Sequence, residues 1–288
     1  MLVYIENKNN LAEILTYLDI ADIKYTTDIS KYKTVLITDI NNKILKIIKN
    51  KKVFLLTNYI ENKEIDKLLN IDNIKIITSL PLLKNNKNVI FIPKILPNVN
   101  LKKNKNIYED YKITKNKKKI IVLDRYLKHV KEVQNILNEY PKFEFIYVGY
   151  KNSKREVELI ENLNVVWIKY VNLNKYNDLC NISDMVIIFD KDIDINYLYL
   201  SILTHTEIFM VEDNNYNNYF IPSKHYYGFN NINNLNNKIK KLLTSRTSSL
   251  NDNAYFLIEN NTEKNYIETL KKILKWFFFD IIYYFKFI

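Results

Sequence analysis

The chain has 288 residues, 47% hydrophobic and 26% charged, a globular composition with room for one large domain or two of ordinary size. Collagen, low-complexity disorder and a disulfide scaffold are excluded, and the single thiol, Cys180, cannot form an internal bridge. Lys and Arg at 43 against Asp and Glu at 32 give a formal charge of +11, which invites nucleic acid or an anionic membrane as partner; a composition drawn toward residues with AT-rich codons explains the excess of Lys equally well.

The opening MLVYIENKNN lacks the basic start and long apolar core of a secretory signal, and no run of about 20 uninterrupted apolar residues is available to span a bilayer, so the chain is expected in the cytosol. Short β-branched and aromatic runs alternate with helical spacings, twice over, the pattern of parallel sheets covered by helices. Strands are predicted at 2–5, 35–39, 53–57, 74–79 and 89–93. After Pro97, Asn98 and a Lys/Asn-rich run that reads as a solvated linker, they resume at 119–124, 143–149, 165–171, 185–189 and 208–213. Three helical stretches follow, at about 233–244, 251–260 and 264–286. The fold class is therefore α/β, with two Rossmann-like domains facing across a cleft and a helical C-terminal tail. The boundaries are 1–113 for the first domain, 114–263 for the second, and 264–288 for the last helix. Ligands of such sheets bind outside the carboxyl ends of the strands.

Two glycines in the whole chain cannot build a G-x-G-x-x-G or a P-loop, which excludes dehydrogenase and P-loop readings. His129, His205 and His225 are dispersed and C-x-x-C is absent, so no metal site is expected. Two constellations remain. In VLDRYLKHVKEVQNIL the strand ends at Asp124 and Arg125, and Lys128 and His129 stand at the mouth of the next helix. A helix N-terminus with two cations suits a diphosphate, although Arg and Lys at an ordinary helix start read the same way. In FDKDIDINYLYLSIL, Asp190, Asp192 and Asp194 crowd the turn into the following helix; capping explains at least one of them, and three exceed what capping needs. Carboxylates there also suit the hydroxyls of a sugar.

In order and spacing, the segments over about residues 119–245 resemble family 4 glycosyltransferases of the GT-B fold, most closely the bacterial diacylglycerol glucosyltransferases. The likeness lies in Arg125 and Lys128 after the first strand, in EYPKFEFIYVG closing on Gly149, in LNVVWIKYVNLNKYNDLCNISDMVIIF, in IFMVED, and in YYGFNNINNLNNKIKKLL. It implies a retaining, metal-independent hexosyltransferase that uses no cofactor and takes a nucleotide-sugar, UDP-linked, as donor. By resemblance Arg125, Lys128, Gly149, Tyr170, Asp190, Asn196 and Tyr197 bind the donor, with 168–171 near the nucleobase, and Asn58, Asp192 and Asp194 stand at catalytic positions. The chain also departs from the family. Asp192 stands for the first Glu of Glu-x7-Glu, Leu200 for the second, Asn58 for a His near the transferred sugar, and the N-terminal glycine-rich loop is missing. Losing a carboxylate and an imidazole removes charge-assisted hydrogen bonds worth about 1.5–3 kcal/mol each, so an inactive relative that binds or scaffolds a partner, such as an active glycosyltransferase, is the alternative function. A basic nucleic-acid-binding protein is a minor alternative, resting on net charge alone.

The end of the chain sets Lys271, Lys272 and Lys275 beside Trp276, Phe277 and Phe278. Cations next to aromatics suit an anionic leaflet, which points to peripheral attachment at the inner face of the membrane and to a lipid or glycan acceptor there. Packing of this last helix on the first domain explains the aromatics as well.

Overall fold

A run of apolar residues with polar flanks becomes a parallel strand when helices cover both sheet faces, because only then is every side chain of the run buried. The computed structural model describes residues 2–4, 25–26, 34–37, 51–56, 68–79, 83–97, 106–150, 160–161, 163–244 and 250–273. The chain divides into two compact units, Met1–Ile95 with Asn261–Ile288, and Leu96–Asn260.

The first unit holds an all-parallel sheet of β1 (Leu2–Tyr4), β2 (Tyr25–Thr26), β3 (Thr34–Ile37), β4 (Lys52–Leu56), β5 (Ile74–Thr78) and β6 (Val89–Phe91). Its strand order is β2-β1-β3-β4-β5-β6. Val53, Phe54, Ile76 and Ile77 are wholly buried at its centre. Asn58, the candidate in this unit, lies outside the described residues.

In the second unit a short α1 (Ile107–Asp110) precedes β7 (Lys118–Leu123), α2 (Val130–Glu139), β8 (Phe143–Val148), β9 (Val166–Ile168) and α3 (Leu173–Cys180). Then come β10 (Met185–Ile188), α4 (Ile195–Leu203), β11 (Glu207–Val211), β12 (Tyr227–Phe229), α5 (Ile232–Thr244) and α6 (Leu250–Ile258). The strands are parallel in the order β12-β11-β10-β7-β8-β9, so successive connections run outward from β7 in one direction and then, from β10, in the other. This is the Rossmann order, and its topological switch point lies between β7 and β10. Ile120, Ile121 and Val122 on β7 and Val186, Ile187 and Ile188 on β10 are wholly buried, as the two central strands of a covered sheet must be. On α2 the residues Val130, Val133 and Ile136 recur at helical spacing and join that core.

Every strand predicted from the sequence is present. The edge strands β2 and β12 were not predicted, and α1 occupies part of the stretch read as linker. A helix at 263–273 begins the final helical stretch and contains Lys271 and Lys272; Lys275, Trp276, Phe277 and Phe278 lie outside the described residues. Among the described residues no helix is long and apolar enough to cross a membrane.

Gly149 follows β8 where the chain passes the turn after β7. A Cβ there would stand 2.2 Å from the carbonyl oxygen of Asp124 and 2.7 Å from Leu127 Cδ2. Backbone cannot yield as a flexible side-chain tip can, so the absence of a side chain is a packing requirement. Gly149→Ala is expected to destabilise the second unit by about 2 kcal/mol or more, measured by chemical denaturation.

Candidate functional site

The chain leaves β7 through a turn that depends on Asp124. Its carboxylate is 1% exposed and accepts hydrogen bonds from the backbone N–H groups of Lys128 (3.1 Å) and His129 (2.7 Å) and from the Tyr147 hydroxyl (2.5 Å). Burial, with the Asp124 charge beside it, pushes the Tyr147 hydroxyl far above the ordinary phenol range and keeps it a donor. The turn closes with Leu127 N–H on the Asp124 carbonyl and a left-handed Leu127 at φ 54°. Asp124 thus fixes the two residues that lead into α2, and His129, at the helix boundary, makes no side-chain cap of its own. The His129 ring instead stacks on Phe189 at 4.5 Å.

Beyond this turn, over the switch point, lies a pocket of about 210 Å³. Leu123 and Arg125 line it from the end of β7, Val148, Gly149 and Tyr150 from the end of β8, and Lys169, Tyr170 and Val171 from the end of β9. Asp190, Ile193 and Tyr197 complete it from the segment between β10 and α4. Five of the seven donor-binding candidates are therefore together: Arg125, Gly149, Tyr170, Asp190 and Tyr197. Lys128 and Asn196 are not in the lining. The left-handed step at Leu127 ends the turn before Lys128, which is exposed with its ammonium 5.3 Å from the Tyr126 ring centre.

The three aspartates of the acidic turn have separate tasks. Asp190 accepts the Arg125 backbone N–H at 2.9 Å, tying the ends of β7 and β10 across the switch point. Asp192 faces the Arg125 guanidinium at 3.8 Å, with side chains 65% and 31% exposed respectively; a pair this open to water is worth at most about 1 kcal/mol. Asp194 is the N-cap of α4 and accepts the Asn196 N–H at 3.0 Å. Asp192 and Asp194 are absent from the pocket lining. Burial raises the Asp190 carboxyl above the ordinary carboxylate range, against the Arg125 N–H and guanidinium, with Asp124 and Asp192 adding to the rise. Among the described residues no group of three or more His, Cys, Asp or Glu is placed to hold a metal ion.

The aromatic wall is extensive. Tyr197 donates its hydroxyl to the Val171 carbonyl at 2.9 Å and packs edge-on against Tyr176. Tyr126 and Tyr150 meet edge-on at 5.4 Å, and the Tyr126 hydroxyl, bonded to Tyr150 and to Arg125, titrates below the ordinary phenol value. Tyr170 is 72% exposed and Tyr150 43%, so both present ring surface to a ligand. Leu200, standing for the second Glu of the family motif, is wholly buried on α4.

The sequence reading missed the part Asp124 plays in the turn, and Tyr150 as lining; Lys169 falls in the 168–171 stretch it set near the nucleobase. Each had a signal: an Asp at a strand end just ahead of a helix, and positions directly after predicted strands of a parallel sheet.

No family model matches the chain, and no curated protein sequence does. Solved structures do. A glycosyltransferase from Rickettsia africae ESF-5 is 16% identical, with a TM-score of 0.62 over 95% of this chain and 89% of its own. HepE from Anabaena, solved in complex with UDP and glucose, is 11% identical, with a TM-score of 0.58 over 94% and 84% of the two chains. Sucrose-phosphate synthase from Thermosynechococcus elongatus is 11% identical, with a TM-score of 0.58 over 86% and 74%. At these identities the likeness establishes the fold: the chain has the GT-B fold of glycosyltransferases.

Two outcomes are expected from this geometry. Asp124→Ala strands two backbone N–H groups of the turn and a buried hydroxyl and costs about 3 kcal/mol or more in urea unfolding, whereas Asp124→Asn keeps one acceptor and loses less. Asp190→Asn keeps an acceptor for Arg125 and removes a desolvated charge. Because the folded state raises the Asp190 carboxyl, its favourable contribution is full below the unfolded value and is lost as pH rises through the folded one. The Asn variant therefore melts above wild type at neutral pH, and the gap closes as pH falls through the ordinary carboxylate range.

Proposed function

We propose that the chain is a glycosyltransferase that takes a nucleotide-sugar donor into the pocket over the β7/β10 switch point and moves its sugar to an acceptor hydroxyl. The observation that carries this reading is that Arg125, Tyr170, Asp190 and Tyr197 converge on one pocket at the carboxyl ends of the parallel strands, in a chain of GT-B fold. HepE, a protein of the same fold, binds UDP and UDP-glucose, which supports a UDP-linked donor.

In this reading the guanidinium of Arg125 stabilises the negative charge that develops on the departing diphosphate. The phosphate displaces Asp192 from Arg125 at small cost, since the pair is solvated, and leaves that carboxylate to accept a hydroxyl of the sugar. The tyrosines wall the nucleoside side, and Asp194 holds the start of α4. Transfer proceeds without a metal and with retention of configuration, with Asn58 at the place near the transferred sugar. The acceptor is a lipid or glycan at an anionic membrane surface, approached through the basic and aromatic C-terminal residues.

Leu200 favours a second reading. A wholly buried leucine leaves no carboxylate for the donor ribose at that position, which fits a relative that binds nucleotide-sugar, or a partner transferase, without turnover.

Titration calorimetry and radiolabelled donor separate the two. The chain is expected to bind UDP-glucose, Arg125→Ala to weaken binding tenfold or more, and labelled sugar to appear in acceptor or water. Binding without release of UDP supports the second reading, and absence of binding to any nucleotide-sugar removes the transferase and supports a scaffold that binds a partner.

A further inference from the structure

The pocket lining has few hydrogen-bond acceptors to spare. The backbone carbonyls of Leu123, Arg125 and Val148 already accept the N–H groups of Phe189, Tyr150 and Asp124. Those of Gly149 and Val171 accept the Trp167 indole N–H at 3.0 Å and the Tyr197 hydroxyl at 2.9 Å. Asp190 is the one carboxylate in the lining. Its Oδ2 accepts the Arg125 backbone N–H at 2.9 Å. Its Oδ1 has no hydrogen-bond partner among the described residues and is open rather than buried.

The tie to Arg125 does not require a charge, because a neutral amide oxygen accepts an N–H as well. The charge is a cost to the fold: burial raises the Asp190 carboxyl above the ordinary carboxylate range, against the Arg125 N–H, and Asp124 and Asp192 add to the rise. Among the described residues no cation stands at ion-pair distance to offset it, since the Arg125 guanidinium faces Asp192. A carboxylate kept in a pocket against the interest of stability, with one oxygen open, has a use outside folding.

We infer that Oδ1 of Asp190 accepts a hydroxyl of the bound ligand and makes the site select for that hydroxyl. The inference rests on the donor-pocket reading above and names the group the pocket reads. It also gives the chain a carboxylate for hydroxyls where the buried Leu200 supplies none. A nucleotide-sugar offers such hydroxyls in two places, the ribose and the sugar. A ligand lacking the hydroxyl leaves the carboxylate desolvated and unpaired, so discrimination against it is about tenfold.

The test is titration calorimetry on the full chain and on Asp190→Asn with UDP-glucose, with its 2′-deoxyribose and 3′-deoxyribose forms, and with forms lacking one glucose hydroxyl each. Asn keeps an acceptor for the Arg125 N–H, so the variant is expected to fold, and its melting temperature checks this. Removing the charge changes the attraction for the phosphates by the same factor in every analogue, so the ratio of UDP-glucose affinity to analogue affinity isolates the hydroxyl contact. Wild type should bind UDP-glucose about tenfold more tightly than one of the analogues, and Asp190→Asn should shrink that ratio to about twofold or less. A ribose analogue carrying the effect sets Asp190 on the nucleoside and a glucose analogue sets it on the transferred sugar; either result supports the inference. Ratios unchanged in Asp190→Asn for every analogue, with UDP-glucose still bound by wild type, overturn the assignment while leaving the donor pocket standing. Failure of the wild-type chain to bind UDP-glucose overturns both.

Discussion

The second unit depends on one buried carboxylate. Asp124 joins three elements at a single point: it ends β7, accepts the first N–H groups before α2, and accepts the hydroxyl of Tyr147 on β8. Three hydrogen bonds to a buried charge, at about 1.5–3 kcal/mol each, outweigh anything a surface contact in the same region contributes. Gly149 is the complement of this arrangement, since the Asp124 carbonyl comes so close to its Cα that no side chain fits. The ends of β7 and β8 are thereby fixed relative to one another, and Arg125, the next residue along, is held at the pocket edge by the Asp190 carboxylate on its backbone N–H.

From that constraint follows the chemistry the pocket can perform. Asp124 fixes the two residues that lead into α2, and the pocket edge is left to Arg125, whose guanidinium is exposed enough to be reached. Arg125 is poised for this, because its partner Asp192 is solvated and easily exchanged. The acidic turn is an economy of three carboxylates with three tasks: a tie across the switch point, a counter-ion for Arg125, and a cap for α4. Tyrosines supply the remaining wall, which suits a ligand with a flat apolar part and a charged part.

Much of the fold was legible because long apolar runs in a covered parallel sheet leave an unmistakable pattern. IIVL at the core of β7 and VII in β10 could be read directly. β2 and β12 were not, since two or three residues carry no periodicity and their pairing comes from the neighbouring strand rather than from their own side chains. The site was half legible. Residues at strand ends, such as Arg125 and Asp190, follow from the rule that ligands sit there. Gly149 was found for its family position, while its close approach to Asp124 is visible only in three dimensions. Lys128 and Lys169 show the limit most plainly: a lysine near a helix start invites a place in the site, yet Lys128 is exposed outside the pocket, and the lysine that lines it comes from a strand end more than forty residues away. Leu200 reads as a loss in sequence and proves to be core.

The measurement that bears most directly on this account is a crystal structure of the chain with UDP bound. The account predicts phosphate oxygens about 3 Å from the guanidinium nitrogens of Arg125, with the Asp124 carboxylate still on the N–H groups of Lys128 and His129. A phosphate seated on those two N–H groups with Asp124 displaced, or UDP bound away from the β7/β10 switch point, would contradict it.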